Sequence, residues 1–180
     1  ATFIGSGMSS VNADNDHMFK LRDYWGGEYK NCIFGDFPGD AMDVEDLDSG
    51  NDSRMRLEAG EIVFQNNVFF DFGAGSTLSD LGAHAWESAY LADAANDNLV
   101  SDPSLGGIDR AEYNNGLDPR PAHDGAAYTT DMAMPDNDFF DQVNYKGAFG
   151  ATNWMKGWTA LDHYGYFTAD PESPTEVTIT

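Results

Sequence analysis

One hundred and eighty residues at 19.7 kDa, 41% hydrophobic and 13% aromatic, suit one domain with a packed core and exclude wholesale disorder. Thirty-one acidic residues against nine basic ones give a formal charge of −22, a surface that repels nucleic-acid backbones and anionic membrane leaflets and draws cations. No apolar run approaches the roughly 20 residues that span a bilayer, and a single cysteine, Cys32, excludes an internal disulfide framework.

The opening Ala1-Thr-Phe-Ile-Gly reads as a strand rather than an export leader, which fits a processed chain or a portion of a longer one. Through residue 78 the chain consists of short apolar runs broken by Gly, Asn and Asp, the pattern of short strands joined by turns. Asn31-Cys-Ile-Phe-Gly-Asp-Phe-Pro-Gly39 and Asn66-Asn-Val-Phe-Phe-Asp-Phe-Gly-Ala74 align at an offset of 35, and Thr2-Phe-Ile-Gly-Ser-Gly7 is a weaker copy 30 residues before Cys32. A repeat of this length without helical periodicity predicts coils of a parallel β-solenoid over 1–78, with Phe34 and Phe69 stacked in one inward row. Asn31 and Asn66 then occupy a corner, where Asn tolerates left-handed backbone and bonds its equivalent in the next coil. A β-sandwich with two similar strands is the alternative.

Ser79 caps a helix predicted over 79–95, with Leu81, Ala85, Ala89 and Ala92 on one face and Asn-Asp-Asn as its close. Residues 96–167 are turn-rich at Asp102-Pro, Asp118-Pro-Arg-Pro121 and Met134-Pro-Asp, then dense in aromatics from Phe139 to Phe167, and are predicted as an extended cap packed on the core. Residues 168–180 are predicted as a tail or linker.

Three stretches carry a family resemblance: Ala1-Thr-Phe-Ile-Gly-Ser-Gly7 with Leu21-Arg-Asp-Tyr-Trp-Gly-Gly-Glu-Tyr-Lys-Asn-Cys-Ile-Phe34; Asp102-Pro-Ser-Leu105 with Gly116-Leu-Asp-Pro-Arg-Pro121; and Tyr145-Lys-Gly-Ala-Phe-Gly-Ala-Thr-Asn-Trp-Met-Lys-Gly-Trp-Thr-Ala-Leu-Asp-His-Tyr-Gly165. Together they resemble the C-terminal portion of large secreted or cell-surface proteins of Bacteroidota-like bacteria. The resemblance implies a right-handed parallel β-helix, an extracellular or cell-surface location and export through a C-terminal sorting domain, with no enzymatic activity to transfer. Ala169-Asp-Pro-Glu-Ser-Pro-Thr-Glu-Val-Thr-Ile-Thr180 is then a linker toward such a domain.

Candidate chemistry is sparse. Asp40, Asp43, Glu45, Asp46 and Asp48 cluster within nine residues, and Asp46, Asp48, Asn51 and Asp52 offer the oxygen-rich loop that calcium takes, although neither this spacing nor Asn12-Ala-Asp-Asn-Asp16 matches the helix-loop-helix calcium motif. A solvated acidic turn is the competing reading. Arg22 with Asp23, and Arg54 and Arg56 beside Glu58, would serve a polysaccharide lyase or hydrolase if they lined a groove, and are otherwise surface ion pairs. His17, His84, His123 and His163 lack metal-binding spacing, and Cys32 falls within a strand as a small buried hydrophobe. Trp25, Trp154 and Trp158 are candidates for a sugar-stacking platform, with core packing as the alternative.

The sequence thus predicts a non-enzymatic extracellular structural protein that self-associates through its solenoid ends into a fibre. The alternatives are a carbohydrate-binding or carbohydrate-cleaving protein and a calcium-dependent adhesin. No nucleic-acid partner and no membrane insertion are expected.

Overall fold

A computed structural model describes residues 1–11, 15–134 and 138–167. The tail expected over 168–180 and the 12–14 part of the Asn12 to Asp16 segment lie outside these described residues. In chain order the elements are β1 (Thr2–Ile4), β2 (His17–Leu21), β3 (Gly27–Lys30), β4 (Ile33–Phe37), β5 (Asp40–Val44), α1 (Ser53–Glu58), β6 (Ile62–Gln65), β7 (Val68–Phe72), α2 (Ala85–Leu91), β8 (Leu99–Val100), β9 (Leu105–Ile108), β10 (Leu117–Pro121) and α3 (Ala160–His163).

The right-handed parallel β-helix expected from the repeat is not what these strands build. They fall into four small sheets, one of four strands in the order β1-β4-β7-β8 and three of two strands, mixed parallel and antiparallel, and no solenoid results. The repeat is too short and too interrupted for one: α1 and its loop intervene between β5 and β6, and after β7 the chain turns helical where a further strand would be needed. Beyond β8 the pairing becomes antiparallel, between β9 and β10.

What the repeat does specify is local register. β4 pairs in parallel with β7, setting Phe34 opposite Phe69 with ring centroids 5.2 Å apart. The weaker copy pairs one residue away from the expected alignment, Phe3 opposite Phe34 and Thr2 opposite Ile33, which keeps Phe3 on the same face as Phe34. A slip of one residue would send every side chain to the opposite face. Asn31 and Asn66 do sit in the left-handed region, with φ of 55° and 60°, and Asp97 repeats the position at 49°.

Their amides do not bond one another. Asn31 is bonded to the backbone of Ala133 through both its amide nitrogen and its oxygen, and Asn66 Oδ1 accepts from the buried Lys146 Nζ at 3.0 Å. The amide ladder lies one position later. Asn67, 0% exposed, accepts from Cys32 N at 2.8 Å and donates to Tyr29 O at 3.0 Å and Asn98 Oδ1 at 3.1 Å, while Asn98 donates to Phe64 O at 2.9 Å.

Both faces of the four-stranded sheet are covered, as parallel sheets require. On one face Phe34, Phe69 and Phe72 pack with Met42, Val44, Ile62, Phe64, Leu81 and Leu91 from the β2–β5 and β3–β6 pairs and the α2 region. On the other, Ile33, Val68 and Phe70 pack beneath Ala127 and Leu105 from the later chain. Gly35 is obligatory in this layer, because a Cβ there would overlap the Phe70 ring.

The helix expected over 79–95 forms only in its middle, as α2 between short 3₁₀ turns at Leu78–Asp80 and Ala94–Asn96. Residues 81–83 are withheld from it: Ala41 N donates to Leu81 O and Ala83 N to Met42 O, so the segment runs beside β5. The buried side of α2 is Glu87, Ser88 and Leu91 rather than the alanines. Residues 96–167, expected as an extended cap on the solenoid, supply β8 to the main sheet and form the β9–β10 pair. Among the described residues no helix is long and apolar enough to cross a membrane.

Candidate functional site

The segment following Ala148 folds back alongside β1 and the β9–β10 pair. Thr159 Oγ1 accepts from Asp162 N and donates to Met155 O, and Asp162 Oδ2 accepts from Gly157 N at 2.7 Å, so the short α3 is fixed at its start. Gly157, at φ 85°, provides a left-handed turn that a Cβ would strain.

This local frame determines where the indoles point. Trp154 Nε1 donates to Ala148 O at 2.9 Å and Trp158 Nε1 to Trp154 O at 2.8 Å. Both polar edges are thereby tied to backbone, and the ring faces remain for contact. Phe149 and Trp154 stack at 5.5 Å and 10°, and Trp154 and Trp158 at 6.1 Å and 26°. The inner ring, Phe149, is buried, whereas Trp154 is 51% and Trp158 71% exposed. Beside the stack opens a cleft of about 490 Å³, walled by Ile4, Ile108, Leu117, Phe149, Trp154 and Leu161.

Its polar groups are few and already engaged. The Arg110 guanidinium is held by Gly5 O and the Asp36 carboxylate. Asp109 accepts from Ala111 N at 2.8 Å, and that backbone bond holds its carboxyl below the usual range. Tyr166 donates to Glu112 Oε1 at 3.3 Å, and burial together with Glu112 pushes its phenol up. The site is therefore an apolar, aromatic-walled surface with pinned polar edges, suited to flat contact with a ligand rather than to proton transfer. No family model, curated protein or solved structure matches this chain.

Of the three predicted platform residues, the fold joins Trp154 and Trp158 and leaves Trp25 elsewhere. Trp25 is half-buried, stacks on Tyr29 at 5.9 Å and 26°, and packs against the main core.

The four predicted calcium ligands have separate employments. Asp52 caps α1, its two oxygens accepting from Met55 N and Leu47 N at 2.8 Å each, and these bonds hold its carboxyl below the usual range. Asp46 pairs with Arg54 at 2.6 Å, while Asp48 and Asn51 are exposed on the intervening loop.

The basic residues considered for polysaccharide cleavage are in ion pairs: Arg22 with Asp23 at 3.6 Å, Arg54 with Glu58 at 2.9 Å and Arg56 with Glu61 at 2.9 Å. Cys32 is buried as expected, and burial raises its thiol. A grouping the sequence did not suggest is Asp43, His84 and Glu87, whose ligand atoms lie within 4.8 Å of one another. Its readable part is the His84-x-x-Glu87 capping box at the start of α2; Asp43, on β5, joins it only through the tertiary fold.

Proposed function

We propose that this chain is a non-enzymatic, extracellular or cell-surface carbohydrate-binding protein that holds a neutral oligosaccharide against the Phe149–Trp154–Trp158 stack. The observation that carries the reading is the pair of stacked, half-exposed or more exposed indoles beside an apolar cleft. Two adjacent tryptophans left in water form the kind of exposed apolar patch that marks a binding site, and an indole face suits the C–H face of a sugar ring. The sugar is neutral because the formal charge of −22 repels acidic polysaccharides and Arg110, the one basic side chain among the described residues lining the cleft, is already paired with Asp36.

Binding is favoured over cleavage. Glycoside hydrolysis uses two carboxyl groups about 5–9.5 Å apart across the bond, and among the described residues lining the cleft Asp109 is the single carboxylate. The location rests on the resemblance of the Asp102 to Pro121 and Tyr145 to Gly165 stretches to secreted bacterial surface proteins. The fibre reading lost its premise with the solenoid ends, and the outer edge of β1 is flanked by Ala148, whose N–H bonds Thr2 Oγ1 at 2.9 Å.

The test is a glycan array followed by calorimetry on its neutral hits. Trp158→Ala and Trp154→Ala are each expected to weaken binding roughly tenfold or more, the loss typical of a buried aromatic anchor, while Trp25→Phe leaves it unchanged. Absence of any glycan binding overturns the proposal, and new reducing ends overturn its non-enzymatic part. Regular filaments under electron microscopy would replace it with an assembly role.

A further inference from the structure

A second constellation lies apart from the aromatic cleft, where β5 meets the start of α2. Glu87 is 0% exposed. Its Oε1 accepts from Val44 N at 2.7 Å and its Oε2 from His84 N at 2.8 Å, which fixes the carboxylate in place. Among the described residues no Lys or Arg pairs with it, so a fully buried carboxylate stands without a cation, an expensive arrangement. What faces it are His84 Nδ1, 3.4 Å from Oε1, and Asp43, the residue preceding Val44.

Around Asp43 the same pattern recurs. His17 Nε2 lies 3.4 Å from Asp43 Oδ2 and its Nδ1 3.3 Å from Asp40 Oδ2, and that Nδ1 is buried without a hydrogen bond among the described residues. Lys20 Nζ reaches the same Oδ2 at 2.6 Å.

The His84–Glu87 separation is informative. A charge-assisted N–H···O bond closes to about 2.7–2.9 Å, so 3.4 Å between His84 Nδ1 and Glu87 Oε1 is loose for hydrogen bonding. It matches the edge of a tetrahedron whose ligands stand about 2.0–2.1 Å from a central ion, roughly 3.3–3.4 Å, and the Asp43 ligand atom lies within 4.8 Å of both. Imidazole mixed with carboxylate suits zinc-class ions, whereas calcium takes six to eight oxygens.

We propose that Asp43, His84 and Glu87 bind one divalent ion of the zinc class, with the fourth position open to water or to a further ligand. The ion supplies the positive charge that buried Glu87 lacks and ties the start of α2 to β5. Asp43 and Glu87 balance its charge, and Lys20 and His17 hold Asp43 through its Oδ2.

The experiment is calorimetric titration of zinc chloride into the chelator-stripped 180-residue chain, with calcium chloride as the comparison ion and cobalt absorption as a reporter of coordination. The expected result is one zinc per chain, a tetrahedral cobalt spectrum, and at least tenfold weaker binding in His84→Ala and in Asp43→Asn. His163→Ala, on α3, retains the wild-type affinity. His84 is a surface residue whose side chain is 55% exposed, so its variant folds, and an unchanged far-UV spectrum verifies this. Absence of stoichiometric zinc binding, or binding that His84→Ala and Asp43→Asn leave intact, overturns the proposal and reduces the group to a helix cap. Equal binding of calcium at the same residues overturns the ion class.

Discussion

Replacing Asn67 with Ala tests whether the buried amide ladder, rather than the aromatic seam alone, holds the repeated units in register. In the wild type the Asn67 amide serves Cys32 N, just ahead of β4, and Tyr29 O in β3. Tyr29 O keeps its ladder bond to β6 in the variant, so Cys32 N is the group left without its partner. One orphaned buried group costs about 1–3 kcal/mol, and the small cavity adds to it. For a chain of this size that corresponds to about 2–12 °C in Tm. Asn98 Oδ1 keeps the Asn67 N–H at 3.1 Å, so it contributes no further loss. Urea unfolding followed by tryptophan fluorescence gives the measurement, with the exposed Asn51→Ala as a control expected to stay within about 0.5 kcal/mol. A loss below about 1 kcal/mol for Asn67→Ala at unchanged m-value would refute the reasoning, since water or relaxation would then be satisfying Cys32 N.

Phe69→Ala, at the centre of the Phe34–Phe69–Phe72 packing, is expected to cost about 3–5 kcal/mol in the same assay, whereas Val100→Ala at the facing register position costs far less because Val100 is surface-exposed. Calcium added to chelator-stripped protein should leave Tm unchanged, because Asp52 and Asp46 are engaged by backbone amides and Arg54; a calcium-dependent rise would restore the loop as a site. Burial alone would raise the Asp118 carboxyl, but its bonds to the Arg120 guanidinium and backbone N–H bring it below the usual value. A carboxyl lowered in the folded state contributes stability that is fully present above the unfolded pKa of about 3.9 and is lost as pH falls through the folded value. Asp118→Asn should therefore be less stable than wild type at neutral pH and converge with it in acid; a constant gap across that range would exclude the ion pair as the cause.

Residue-level patterns were legible where one or two neighbours decide the outcome. The left-handed Asn31 and Asn66, the Phe34–Phe69 pairing and the exposed Arg22–Asp23 and Arg54–Glu58 pairs all follow from the side chain and its immediate spacing. The closure of those patterns into an architecture was not legible, because a repeat specifies pairing and says nothing of what interrupts it. Asn96-Asp-Asn98 reads as the close of a helix, yet the next two residues, Leu99–Val100, form β8, since Asn98 answers Asn67 and Leu99 pairs with Val68. Ser53 to Glu58 lacks an apolar stripe of any length, and its helix depends on the Asp52 cap. In the same way Trp154 and Trp158, four apart, were readable as a pair, whereas their distance from Trp25 and the approach of Asp43 to His84 are decided by strand order.

Parallel pairing at long offsets has a kinetic consequence. β1 meets β4 across 31 residues, β2 meets β5 across 23, and β4 meets β7 across 35, with no hairpin among these first strands to nucleate them. Each contact in the Phe3–Phe34–Phe69 seam waits on the closure of a loop, so no local fragment holds itself together first. Refolding should accordingly take milliseconds to seconds rather than microseconds, with yields that fall as concentration rises, because unpaired Phe-rich strands meet one another before their registers close.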